Sequence, residues 1–175
     1  MRLIARKQSR RRRLSGRSVV AAIAASLSLV AASVSASVIN ADAAGCGTTD
    51  LALNHPATAS SLQSAAYPAS NAVDGNLSTR WSSAFSDPQW LEVDLGSSHS
   101  ICQVILQWET AYGKAFQIQT STDNSTWTTV YSTTTGTGGT QNLTVTGTGR
   151  YIRMYGTTRA TQWGYSLWEF QVFTG

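Results

Sequence analysis

The sequence predicts an all-β sandwich, and three observations carry that prediction. Apolar residues recur at every second position over short runs, as in Leu91, Val93 and Leu95 set against Trp90, Glu92 and Asp94. That is the period of a strand with one face buried. No window sustains a helical period, and Thr and Ser are abundant. The runs are short and separated by turn residues, which is the spacing of a sandwich.

The later elements follow in order. Cys102, Val104, Leu106 and Trp108 form one face of a strand, with Gln103 and Gln107 opposite. Phe116, Ile118 and Thr120 repeat the pattern against Gln117 and Gln119. Trp127 and Val130 mark a strand after the Asp123-Asn124-Ser125 turn, and Leu143 and Val145 mark one after the glycine-rich loop at 136–139. Ile152 and Met154 alternate with Tyr151, Arg153 and Tyr155, and Trp168, Phe170 and Val172 form the last strand.

Residues 1–43 read as a signal peptide rather than as fold. Arg2, Arg6, Lys7, Arg10, Arg11, Arg12, Arg13 and Arg17 precede a small, apolar stretch at 19–39, and Ala41-Asp42-Ala43 is a small-x-small cleavage site. This order predicts a secreted, extracellular protein. A retained membrane anchor is the alternative, but the stretch is rich in Ala and Ser and weakly hydrophobic for a spanning helix. Ser9-Arg10-Arg11 is a weak twin-arginine export signal. Residues 44–50 form a short N-terminal segment, and 51–175 form one domain. A leader directly before that domain, and an end at Gly175, lead us to expect a free-standing, monomeric protein.

The sequence pI of 9.4 misleads. Eight of the thirteen Lys and Arg lie before residue 44, with one acid, Asp42. The remainder keeps five basic and eight acidic residues, net −3. Such a balance does not suggest nucleic acid. A sparsely charged surface rich in Ser, Thr, Gln and Asn suits a neutral or cationic polyhydroxylated ligand. Cys46 and Cys102 are the only two cysteines, and export favours their pairing. Closing that loop would stabilise by roughly 4 kcal/mol on the chain-entropy account. Ala43-Ala44-Gly45-Cys46 also resembles a lipoprotein box, although a larger aliphatic residue is usual at Ala43. A lipidated Cys46 with a free Cys102 therefore stays open. His55 and His99 show no ligand spacing and read as structural or surface residues.

One stretch concentrates chemistry. Residues 71–81 hold a carboxylate, two carboxamides, two hydroxyls and a glycine before closing on Arg80-Trp81. Asp74-Gly75-Asn76 is a turn signal, and tight turns aim carbonyls inward. Clustered oxygen donors suit a hard cation such as calcium. An ordinary surface turn is the simpler reading, since the spacing is not that of an EF-hand.

Asn71-Ala72-Val73-Asp74-Gly75, Thr79-Arg80-Trp81, Gln89-Trp90-Leu91-Glu92-Val93-Asp94-Leu95-Gly96, Ile118-Gln119-Thr120-Ser121, Gly149-Arg150-Tyr151-Ile152-Arg153 and Gly164-Tyr165-Ser166-Leu167-Trp168-Glu169-Phe170 occur in this order. Together they resemble a discoidin, or coagulation factor V/VIII type C, domain over residues 51–174. The resemblance is nearest to the bacterial family 32 carbohydrate-binding modules. It implies an eight-stranded jelly-roll β-sandwich of the galactose-binding-domain type, with loops gathered at one end. It also implies a structural calcium held by the Asn71 carbonyl, Asp74, Asn76, Thr79, the Trp168 carbonyl and Glu169. Two carboxylates neutralise the ion, and the remaining ligands are neutral oxygens.

Six Trp residues are more than one core of this size needs. Trp163 stands in the polar stretch 157–165, and Phe85 stands in the loop-like stretch 82–88. Loop aromatics at one end of a sandwich offer flat faces on which the C–H face of a pyranose stacks. Arg80, Glu109, Tyr112 and Lys114 are the candidate polar partners, because charged donors and acceptors read vicinal hydroxyls. The competing reading is a surface salt bridge, such as Arg80 with Asp87. Resembling modules that bind chitosan or β-glucan carry Arg, Glu and Tyr at the positions of Arg80, Glu109 and Tyr165, and often Glu where this chain has Gln63. The candidate ligand set is thus Gln63, Arg80, Phe85, Glu109, Tyr112, Lys114, Arg159, Trp163 and Tyr165. The expected partner is a polysaccharide or oligosaccharide, of β-glucan or chitosan type. Membrane binding is disfavoured by the scarcity of basic loop residues.

No enzyme is expected. A glycosidase needs two carboxylates about 5–10 Å apart, and Glu109 has no evident partner. No Ser/His/Asp arrangement is visible, and the 135–139 glycine loop lacks the Lys of a phosphate loop. The alternatives are an adhesion module gripping a protein or lipid surface, and a binding module detached from a glycoside hydrolase.

Overall fold

The computed structural model describes residues 45–175. The expected signal peptide, cleavage site and twin-arginine signal fall outside the described residues. Seven antiparallel strands follow: β1 (Ala57–Ala59), β2 (Trp81–Ser82), β3 (Gln89–Trp108), β4 (Gly113–Ser121), β5 (Thr128–Thr133), β6 (Thr140–Arg159) and β7 (Ser166–Thr174). A single 3-10 turn, Ala69–Ala72, lies between β1 and β2.

The pairings divide into two layers. The first half of β3 pairs with β1 and with the second half of β6, which continues through β4 to β5. The second half of β3 pairs with the first half of β6 and with β7, which carries β2 at its edge. Strands β3 and β6 are 20 residues each and serve both layers. The all-β jelly-roll sandwich expected from the sequence is therefore what forms, with its strand count set by where those two strands are divided. The register of β3 slips between Asp94 and His99. Gly96 lies in that slip at φ 78°, where a side chain would be strained.

Both layers contribute to one core. Leu91, Val93 and Leu95 from the first half of β3 join Val104, Leu106 and Trp108 from the second half, with Phe116, Ile118, Leu143, Val145, Ile152 and Met154. Each fully buried aliphatic side chain contributes roughly 1.5–3 kcal/mol. The period-two reading of these strands holds, and Trp127 falls just before β5.

Two bulges break the expected alternation. The register slips between Ile101 and Gln103, so Ile101 is buried and Cys102 is only half-buried. Cys102 is thereby released from the ladder and bonds Cys46, with a Cα–Cα distance of 5.9 Å. Both thiols are used in this disulfide, which leaves no Cys46 thiol for a lipid. The segment after it runs beside β7, where Gly47 N–H donates to the Thr174 carbonyl at 2.6 Å and Leu51 N–H to the Val172 carbonyl at 2.8 Å. The second slip, between Gln107 and Trp108, leaves Trp168 without a register partner. Leu167 and Glu169 are buried on either side of it, and Trp168 itself is half-buried rather than part of the core face of β7.

Candidate functional site

Where β3 ends and β4 begins, and where β6 ends and β7 begins, the connecting loops meet those flanking β2. Between them lies an open cleft of about 400 Å³. Gln63 comes from the loop after β1. Arg80 precedes β2, Ser82 ends it, Phe85 follows it, and Glu109, Thr110 and Ala111 form the β3–β4 turn. Trp163 comes from the β6–β7 loop.

The cleft joins a ring platform to charged groups. Phe85 and Trp163 are 45% and 50% exposed. Their centroids lie 5.4 Å apart with planes at 75°, an edge-to-face pair that fixes both rings at the rim. Glu109 leaves the end of β3 with its N–H donating to the Ser166 carbonyl at 2.9 Å. Its carboxylate accepts from Ala111 N–H at 3.0 Å, which orients it without neutralising it. Gln63 Oε1 accepts from the Ser82 hydroxyl at 2.8 Å.

Arg80 makes no salt bridge to Asp87. Its guanidinium lies 4.2 Å from the Tyr67 ring centroid and 5.8 Å from that of Trp168. Its Nε is buried and unpartnered among the described residues. Asp87 pairs instead with Arg159, at 3.3 Å.

Four of the nine sequence-selected ligand residues lie outside the cleft lining. Tyr165 corrects the expectation most clearly. It is 0% exposed and belongs to the core. Its ring occupies space that only a glycine at 156 leaves, since a Cβ there would run into it. Its hydroxyl donates to Asp87. Burial, and then that hydrogen bond, hold the phenol well above its ordinary range. Arg159 holds Asp87 and donates to the carbonyls of Gln162 at 3.2 Å and Trp163 at 3.5 Å. It braces the loop rather than lining the cleft. Tyr112 packs against the core, and Lys114 is exposed on β4.

Leu62, 44% exposed, was missed from the sequence. With Gln63, Ala84 and Phe85 it lines a shallow hollow of about 230 Å³ beside the cleft. The available signal was one large apolar residue in the serine-rich run 60–64.

The candidate metal ligands gather in a second cluster. The Asp74 carboxylate accepts from Asn76 N–H at 2.9 Å and from the Thr79 hydroxyl at 2.7 Å. The Asn71 amide donates to the Arg80 carbonyl at 3.2 Å. Glu169 is 2% exposed, and neither of its carboxylate oxygens has a partner among the described residues. Burial, with the Asp74 charge next in weight, pushes its carboxyl up to about 7. A buried carboxylate without a partner is costly, and a bound cation is the ordinary remedy. Two carboxylates and a hydroxyl among amide and carbonyl oxygens form a donor set that fits a hard cation.

Residues 56–170 match the F5/8 type C domain. The solved structure of chitosan-binding module 1 from the chitosanase/glucanase of Paenibacillus sp. IK-5 is 51% identical, with TM-score 0.69, covering 71% of this chain and 98% of that one. Module 2 of the same enzyme, solved with chitotriose, is 48% identical, with TM-score 0.69, covering 71% and 99%. A polysaccharide lyase 8 family protein, HylA of Enterococcus faecalis, is 40% identical over 68 residues, which are 39% of this chain and 5% of that protein. The chain thus spans a small fraction of that curated relative. With more than half its length matched by the family, the chain belongs to the F5/8 type C domain family.

Proposed function

We propose that this protein is a secreted, non-catalytic carbohydrate-binding module that docks onto chitosan or β-glucan through its loop-end cleft. The observation that carries the reading is the Phe85–Trp163 pair standing over the same cleft as Arg80 and Glu109. The rings take the C–H face of a sugar, and the guanidinium and carboxylate take its hydroxyl or ammonium groups. High identity to two chitosan-binding modules supports this choice of ligand. The cleft presents one carboxylate, Glu109, where hydrolysis of a glycosidic bond needs two. A calcium ion on Asp74, Glu169 and their neighbours would anchor the loop before β2 to β7.

Pull-down of the full-length chain on insoluble chitosan, chitin and β-glucan, beside anionic liposomes, tests the assignment. Retention on chitosan or glucan, lost in Glu109→Gln and Trp163→Ala with melting unchanged, is the expected result. Retention on liposomes alone would overturn it.

A further inference from the structure

A second hollow of about 290 Å³ also opens against Arg80. It is lined by Ala66, Tyr67, Asn71, Ser78, Thr79 and Trp168, so it borders the candidate cation cluster, and Arg80 itself lines both hollows. We propose that the two hollows are halves of one groove, which takes an extended polysaccharide chain with Arg80 contacting successive sugar units. The inference rests on the saccharide reading above and adds chain-length selectivity to it.

Three features support a continuous groove. Arg80 has no carboxylate partner, and none of its guanidinium nitrogens donates to an acceptor among the described residues. With Nε buried, the N–H donors on its two terminal nitrogens are then available to ligand oxygens. It is nonetheless held in place, between the Tyr67 ring at 4.2 Å and the Trp168 ring at 5.8 Å. Finally, the second hollow repeats the chemistry of the first, with aromatic walls from Tyr67 and Trp168 beside the neutral polar groups of Asn71 and Ser78. Neutral hydroxyls and amides suit a sugar ring, and they offer no carboxylate to a second ammonium. The half around Glu109 therefore selects the amino sugar, and the half around Tyr67 tolerates a neutral one.

Calorimetric titration of the full-length chain in calcium, with the trimer and hexamer of glucosamine and of β-1,3-linked glucose, tests the groove. The wild-type chain is expected to bind a hexamer about tenfold or more tighter than its trimer. Ala66→Leu adds bulk at a lining residue of the second hollow that is not itself one of the rings stacked on Arg80. It should leave trimer affinity unchanged and reduce the hexamer advantage to the few-fold statistical gain of a longer chain. Ser78→Leu should do the same, which covers the case in which the first variant melts early. A hexamer-to-trimer ratio that is equal in wild type and in the folded variants would overturn the groove and leave the saccharide site standing. If neither trimer nor hexamer binds the wild-type chain, both fail together.

Discussion

Trp163 and Tyr165 stand two residues apart in one loop and do opposite work. Trp163 is 50% exposed, at the rim of the cleft with Phe85. Tyr165 is 0% exposed, seated in the core against the gap at Gly156 with its hydroxyl on Asp87. Asp87 is also held by Arg159, which in turn grips the carbonyls of Gln162 and Trp163. The lower ring thus fixes the loop on which the upper ring stands. Stability and binding should separate between the two, although both are aromatic and near neighbours.

The largest effect tests that separation directly. Tyr165→Ala removes a fully buried ring, and should lower stability by about 3–5 kcal/mol, read from denaturant melts. Trp163→Ala should change stability by no more than about 0.5 kcal/mol while abolishing retention on polysaccharide. If the two variants melt alike, the division of labour is wrong.

The second test sets the cleft against the Asp74–Glu169 cluster. Calcium should raise the melting temperature and EDTA should lower it, with binding at the cleft less affected than the melt. In EDTA the unpaired Glu169 charge opposes folding. Its folded carboxyl titrates at about 7, against an ordinary value of 4.5. The folded state therefore holds an extra proton between those values. Stability in EDTA should rise as pH falls from about 7 toward 4.5, and above that window the cost is on the order of 3 kcal/mol. Glu169→Gln should remove this pH dependence and raise the melt in EDTA at pH 8. In calcium the same substitution should lower it. Glu169→Gln that destabilises equally in both buffers would remove the case for a cation.

These contrasts also show what the sequence discloses. The core strands were legible because alternation is a local property, and Leu91, Val93, Leu106 and Ile118 are all 0% exposed as their period requires. The loop rim was legible because Phe85 and Trp163 stand among polar residues with no strand period. Tyr165 was not legible, because its burial depends on space left at Gly113 and Gly156 in other strands. Trp168 lies in the last strand as expected, but its half-burial was not legible, because a bulge shifts the phase of β7 at that residue and no local pattern announces it. Arg80 was offered Asp87 as a partner on charge alone, but Tyr67 lies against it instead.

The smallest predicted effect concerns specificity within the cleft. Gln63 lines it, and its Oε1 already accepts from the Ser82 hydroxyl at 2.8 Å. Gln63→Glu keeps that acceptor and adds a second carboxylate to the cleft beside Glu109. The site is open to solvent, so the added pairing with a glucosamine ammonium is worth only about 0.2–1 kcal/mol. Affinity for glucosamine oligomers should rise roughly two- to fivefold at low salt and return to the wild-type value as salt screens the pair. Affinity for neutral glucan oligomers should not rise, since they carry no charge to meet the new carboxylate. An equal gain for both ladders would mean that residue 63 acts through the shape of its loop, and that the charge of the cleft does not set the preference.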